Sequence, residues 1–368
     1  MPCCRRAGGA IVCAWLFVAL TSGAWAQGSL QELLDFSRSY SVGEQLSGHN
    51  APSLQGLGMG GVLAALDSDD PINPAQNAEL DDWWGQVRTG SYVAAGEGGI
   101  CTFLLKVAGP IGSSEHPQGL SFHFQDLDSD PVPRLLPLAP PAQVTARPLI
   151  VAPAGLALSE SDWGGSYGRR VGRRLAVGLT IAGDVSVNWD LAIAPGVLGP
   201  GPTPVMSLSS APRSGVSGAR IGALYQATDD LRLGLLCSVG GTDVTVTAPM
   251  SPPPNQFVIG YDSWDVRIGG AYRLTPRTTV ALDMQDGHLS GASVAEHSVM
   301  WYGGLEQRIG SGLAIRFGDS DGSFTAGFGY GDGRWGLDYA FVDDLWRASL
   351  EPIYGDMSGH FVAAHVCF

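Results

Sequence analysis

From Trp84 to the C-terminus the chain alternates large apolar residues with small or polar ones, segment after segment. "LAVGLTIAGDVSVNW" shows it most clearly. Leu175, Val177, Leu179, Ile181, Val185, Val187 and Trp189 share one face, opposite Ala176, Gly178, Thr180, Ala182, Asp184, Ser186 and Asn188. Successive side chains of a strand point to opposite faces, so an apolar surface is backed by a small, polar one. At about fifteen residues, this stretch exceeds the usual five or six of a globular strand. In "SWDVRIGGAYRL", Trp264, Val266, Ile268 and Tyr272 oppose Asp265, Arg267, Gly269 and Arg273. Phe324, Ala326, Phe328 and Tyr330 likewise oppose Thr325, Gly327 and Gly329, and Trp335, Leu337, Tyr339 and Phe341 oppose Arg334, Gly336, Asp338 and Ala340.

A soluble sandwich buries its apolar face and exposes many charges on the other. Here the second face is glycine, alanine and a few charges, while the first carries aromatic residues near its ends. The pattern predicts an all-β fold, a transmembrane antiparallel up-and-down β-barrel with aromatic girdles outside. A soluble all-β repeat protein is the alternative.

The connections place the strands. "GRRVGRR", "ATDDL", "LTPRT", "RIGSG" and "YGDGR" are short turns. "DSDPVPRLLPLAPPAQ", "APGVLGPGPTPVMSLSSAP" and "APMSPPPNQ" are proline-rich, and proline cannot donate to a ladder, so they read as loops. Short turns on the periplasmic side and long loops on the outer side should alternate. Strands are expected near 84–94, 100–109, 118–126, 155–168, 174–189, 216–226 and 231–247. Others are expected near 264–274, 277–286, 297–308, 311–318, 322–331, 333–342 and 359–368. That makes fourteen, with both termini on the periplasmic side and "LWRASLEPIY" in an outer loop.

The N-terminus adds an address. Arg5 and Arg6, an apolar run from Ala10 to Leu20, and Ala24-Trp25-Ala26 form the three parts of a secretory signal peptide over residues 1–26. Residues 27–82 are then an N-terminal segment and 83–368 the barrel. Net charge is −14, which argues against a nucleic-acid partner. Beyond the signal peptide only Cys101, Cys237 and Cys367 remain, neither a disulfide framework nor a metal cluster.

Gly56, Gly58 and Gly61 are spaced as in a dinucleotide loop, but the polar "SYSVGEQLSGHNAPSLQ" before them is no strand. "LGMGG" followed by "AALDSDDPINPAQNAEL" instead resembles the N-terminal segment of the FadL-type fatty acid transporter and PorV/PorQ outer-membrane superfamily. The matching residues are Gly58, Met59, Gly60, Gly61, Asp69, Asp70, Asn73, Pro74 and Ala75. "DGSFTAGFGYGDGRWGLDYAF" and "GDMSGHFVAAHVCF" look like closing strands of the PorV-like branch. The resemblance implies that residues 27–82 fold into the barrel as a hatch, "VLAALD" forming a short helix whose exit Pro74 punctuates. It also implies a monomer in the cell outer membrane of Gram-negative type that moves hydrophobic, fatty-acid-like small molecules. A PorV-like shuttle binding exported proteins and a purely structural barrel are the alternatives. Val362, Ala364, Val366 and Phe368 share a face in the last strand, resembling the signal read by the barrel-assembly machinery.

Catalytic chemistry is not legible. H-E-x-x-H is absent and no nucleophile constellation stands out, so no enzyme activity, cofactor or metal is expected. His116 and His123 with Asp126 and Asp128 read as a polar strand end rather than a metal site. Asp319 to Gly322, "DSDG", starts like a calcium loop but lacks the later glutamate, leaving a tight hairpin turn.

Overall fold

The computed structural model describes residues 53–66, 70–94, 99–113, 115–129, 132–138, 150–193, 203–212, 216, 218–248, 255–291, 294–343 and 357–368. The expected signal peptide, Asp69 and "LWRASLEPIY" lie outside them. Among the described residues two short helices come first, α1 (Leu54–Gly58) and a 3-10 turn (Pro74–Glu79). Sixteen β-segments follow: β1 (Trp84–Ala94), β2 (Gly99–Pro110), β3 (Gln118–Ser129), β4 (Val132–Leu138), β5 (Ile150–Arg170), β6 (Leu175–Ile193), β7 (Thr203–Pro212) and β8 (Gly218–Gln226). The rest are β9 (Leu231–Ala248), β10 (Asn255–Thr275), β11 (Thr278–Gly291), β12 (Val294–Ile309), β13 (Leu313–Ser320), β14 (Ser323–Gly331), β15 (Trp335–Asp343) and β16 (Met357–Cys367).

β3 and β4 run in line along β5, and β7 and β8 run in line between β6 and β9. Each of these pairs is one interrupted strand, so the sixteen segments make fourteen strands, all paired antiparallel. β1 pairs with β16 from Trp84↔Cys367 to Ala94↔Met357, and the ring closes without an edge along that seam. All fourteen expected strands are present, several longer than expected.

Two expectations about connections need correction. Parts of the proline-rich stretches are strands, as β4 and β7 show. Pro133 and Pro137 pair only with β5, so their missing N–H leaves no ladder bond broken on the other side. Pro204 sits beside the register shift between Leu191 and Ala192, and Pro212 ends its segment. Short and long connections also do not alternate strictly. β13 and β14 join on the outer side through Asp321-Gly322, at φ 52° and 92°, the tight hairpin expected of "DSDG".

The faces fall as the alternation predicts. Leu175, Val177, Leu179, Ile181, Trp264, Ile268, Phe324, Phe328 and Leu337 are exposed on the outside of the ring. Between them Ala176, Thr180, Ala182, Asp265, Arg267 and Thr325 are buried, facing the lumen. A continuous apolar exterior of this extent suits hydrocarbon, not water. The molecule is a transmembrane barrel turned inside out relative to a soluble domain, with its buried charges in the middle.

Candidate functional site

Fourteen strands enclose a lumen wider than wall side chains can fill. The described residues from Ser53 to Ala78 fill it, and nearly all of them are buried. The segment begins with α1, capped at its N-terminus by Ser53, whose Oγ accepts from the Gly56 N–H at 2.9 Å. Its other end explains the glycines. Gly60 and Gly61 take φ +81° and +84°. Gly60 N–H donates to the Leu57 carbonyl at 3.2 Å and Gly61 N–H to the Gly56 carbonyl at 2.7 Å. These are the paired bonds of a Schellman stop, which needs a left-handed residue at its first outside position. "GMGG" is a helix terminator.

After this stop Val62–Leu66 is not helical, contrary to the expectation for "VLAALD". The wall supplies what a helix would have supplied. Asp283 Oδ2 accepts from the backbone N–H of Leu63 at 2.6 Å and of Ala64 at 2.9 Å. Arg267 holds Asp283 in place at 2.9 Å, donates to the Gly61 carbonyl and lies 4.0 Å from the Tyr302 ring centre. Thr325 accepts from Gly60 N–H at 2.8 Å and donates to the Gly58 carbonyl at 3.2 Å.

Pro74 also differs from expectation: it opens a helix rather than ending one. Asn73 caps the 3-10 turn, its Oδ1 accepting from Ala75 N–H at 3.1 Å while Gln76 Oε1 accepts from Asn73 N–H at 2.8 Å. Proline at the first helical position loses no hydrogen bond, since that N–H has no partner within the helix. Asn73 Nδ2 donates to the Ala64 carbonyl at 2.8 Å, tying the two halves of the segment together.

Ion pairs fasten this second half to the wall. Asp70 receives Lys106 at 2.5 Å, and Lys106 also donates to the Pro71 carbonyl at 2.5 Å. Burial alone would raise the Asp70 pKa, but the Lys106 and Arg88 charges outweigh it and hold the carboxyl below the usual carboxylate range. Glu79 meets Arg232 at 2.9 Å and Arg170 at 3.5 Å.

The wall opposite the segment is a track of glycines. Gly58 packs on Gly327 of β14, and Met59 and Gly60 pack on Gly318 of β13 and Gly304 of β12. Ala64 covers Gly269 of β10 and Gly234 of β9. Pro74 and its neighbours cover Gly222 of β8, Gly178 of β6 and Gly168 of β5, and Asn77 reaches Gly119 of β3. The segment thus circles the inside of the wall against strand order, mostly backbone to backbone. At most of these glycines a Cβ would collide with it.

Gly58, Gly60, Gly61, Asp70, Asn73, Pro74 and Ala75, singled out from sequence, are therefore all buried in this one assembly. The wall residues that hold them, Lys106, Arg267, Asp283 and Thr325, were not foreseen. Charges at lumen-facing positions, and Lys106 as the only lysine, were the available signal. Val362, Ala364, Val366 and Phe368 share the outer face, and Phe368 is 75% exposed. His116 lies in the exposed turn before β3, away from His123, which faces Asp162 at 3.6 Å across the wall. Asp126 accepts from Ser161 at 2.5 Å.

Beneath α1, toward the ends of β1 and β16 that carry Trp84 and Cys367, lies a half-open cavity of about 400 Å³. Gln55, Glu306, Arg316, Asp338 and His365 line it, with Arg316 bound to Glu306 at 2.8 Å and to Asp338 at 2.6 Å. Its volume suits a small molecule, but its charged lining favours water over an apolar one.

No protein-family model matches the chain, and no curated protein matches it in sequence. Solved structures do match. The toluene transporter TbuX of Ralstonia pickettii superposes over 86% of this chain and 98% of its own, with 14% identity and a TM-score of 0.51. A Pseudomonas aeruginosa FadL homologue superposes over 86% and 98%, with 11% identity and a TM-score of 0.50. At such identities the fold is what is shared. Closed by β1 against β16, this chain has the fold of a FadL-type barrel.

Proposed function

We propose that the chain resides in a Gram-negative-type outer membrane and passes hydrophobic small molecules, with residues 27–82 acting as a hatch. The observation that carries this reading is the seated segment. It lies buried against the inner wall, and its described contacts are hydrogen bonds, ion pairs and close packing, all of which can be exchanged. The likeness in fold to a protein titled a toluene transporter supports the substrate class, and fatty-acid-like molecules belong to the same class.

Apolar molecules cross simple liposomes unaided, so the test belongs in intact cells. Cells with and without the chain are given labelled toluene, a labelled fatty acid, or labelled glucose. Faster uptake of an apolar probe only in expressing cells supports the proposal. Equal rates for all three would end it. An exported protein recovered stoichiometrically with the barrel would favour the PorV-like shuttle instead.

A further inference from the structure

Three polar side chains meet on the outer face of the barrel, away from the lumen. His288 of β11 pairs across the ladder with His297 of β12, and Asp286 lies two residues from His288 on the same outward face. The imidazole rings stack with centroids 4.5 Å apart. Asp286 Oδ1 lies 2.7 Å from His297 Nε2 and 3.9 Å from His288 Nε2. One donor atom from each residue falls within 4.8 Å of the other two. On the far side of His288, Trp264 of β10 stacks at 4.2 Å and 22°, confining that ring between two aromatic planes.

We propose that His288, His297 and Asp286 form a surface site for a transition-metal ion of the Zn²⁺ class. Two imidazoles and a carboxylate suit zinc, copper or nickel, whereas calcium and magnesium prefer oxygen donors alone. Bonds near 2.0–2.2 Å in a tetrahedral set put donors about 3.3 Å apart, between the two separations seen at Asp286. Small rotations of exposed side chains close the difference, because all three remain substantially open, at 40%, 53% and 39%. Solvent completes the fourth position. The ion would clip β11 to β12 near the outer end of their hairpin. This assignment does not depend on what the lumen carries.

The cluster escaped the sequence reading because His288 and His297 come together only through strand register. The test uses the folded barrel in detergent, without an affinity tag, titrated with Zn²⁺ by calorimetry. One ion per chain is expected. His288→Ala, His297→Ala and Asp286→Asn should each weaken binding at least tenfold, with unchanged heat-modifiable migration showing that each variant is folded. His360→Ala, on β16 beside Tyr339, should bind as the parent does. Cu²⁺ titration gives a second readout. Bound copper should quench a fraction of the tryptophan emission that disappears in Trp264→Phe. Binding that is substoichiometric, that survives loss of both histidines, or that depends on His360 would overturn the assignment.

Discussion

Replacing Gly60 by alanine tests the seated segment most directly. Two costs coincide at this position. The residue sits at φ +81°, where a side chain costs ~1–2 kcal/mol. The added Cβ would also overlap the carbonyl oxygens of Asp319 and Gly303 and come within 2.8 Å of the Asp319 nitrogen. Those atoms belong to paired strands and cannot swing aside, so overpacking adds roughly 1–3 kcal/mol. Together the costs are about 2–5 kcal/mol, a shift of about 30- to 4,000-fold toward the undocked segment, while the strand ladder is untouched. Planar-bilayer conductance and dye efflux from vesicles report that shift. Two companions separate the costs. Gly304→Ala creates only the overlap, against the Met59 backbone, and should leak by an intermediate amount. Gly333→Ala has φ +87° with nothing within 4 Å of its Cβ, so it carries only the backbone cost, in the turn between β14 and β15, and should not leak. If Gly60→Ala and Gly304→Ala are folded and as tight as the parent, the segment does not close the lumen.

Asp70 supplies a pH test. Because its folded pKa is depressed, its contribution to docking is complete above the ordinary carboxylate value of about 3.9 and is lost as pH falls through the lower folded value. Leak should stay flat on acidification until about pH 4 and then rise, whereas Asp70→Asn should already leak at neutral pH, since stranding buried Lys106 costs about 3–5 kcal/mol. Ile268→Arg, at a site 53% exposed on the outer face, should lower stability in bilayers by about 2–4 kcal/mol, and an unchanged melting point would contradict a lipid-facing assignment. Phe368→Ala should cut the yield of assembled barrel in cells while leaving the melting point of the folded fraction nearly unchanged. Parental yield would remove Phe368 from any assembly signal.

The strands were legible because the barrel exterior imposes period two, and because a turn interrupts that period wherever a strand ends. Errors came where a local rule met a tertiary exception. Prolines in β4 were read as loop formers, but a segment paired only with β5 has no second ladder for them to break. "VLAALD" has good helix formers, yet Asp283, more than two hundred residues away, takes the Leu63 and Ala64 amides first. The glycine motif was legible as a packing element and illegible as to its partners. Thr325 lies 265 residues from Gly60, and only closure of the ring brings them together.

The glycine track also changes what the small-residue face means. On sequence alone, glycine at lumen positions reads only as part of a small, polar face. In the folded chain most of those positions are where two backbones come closer than a Cβ would permit, as Met59 does against Gly304, its carbonyl oxygen only 2.3 Å from a Cβ built there. The wall therefore recognises the path of the segment more than its side chains. Specific chemistry is concentrated at a few anchors: Thr325 and Asp283 on the first half, Lys106, Arg232 and Arg170 on the second. Removing one anchor loosens one half, while the track still guides the chain back. The anchor variants should then leak reversibly, and variants that fill the track should leak permanently.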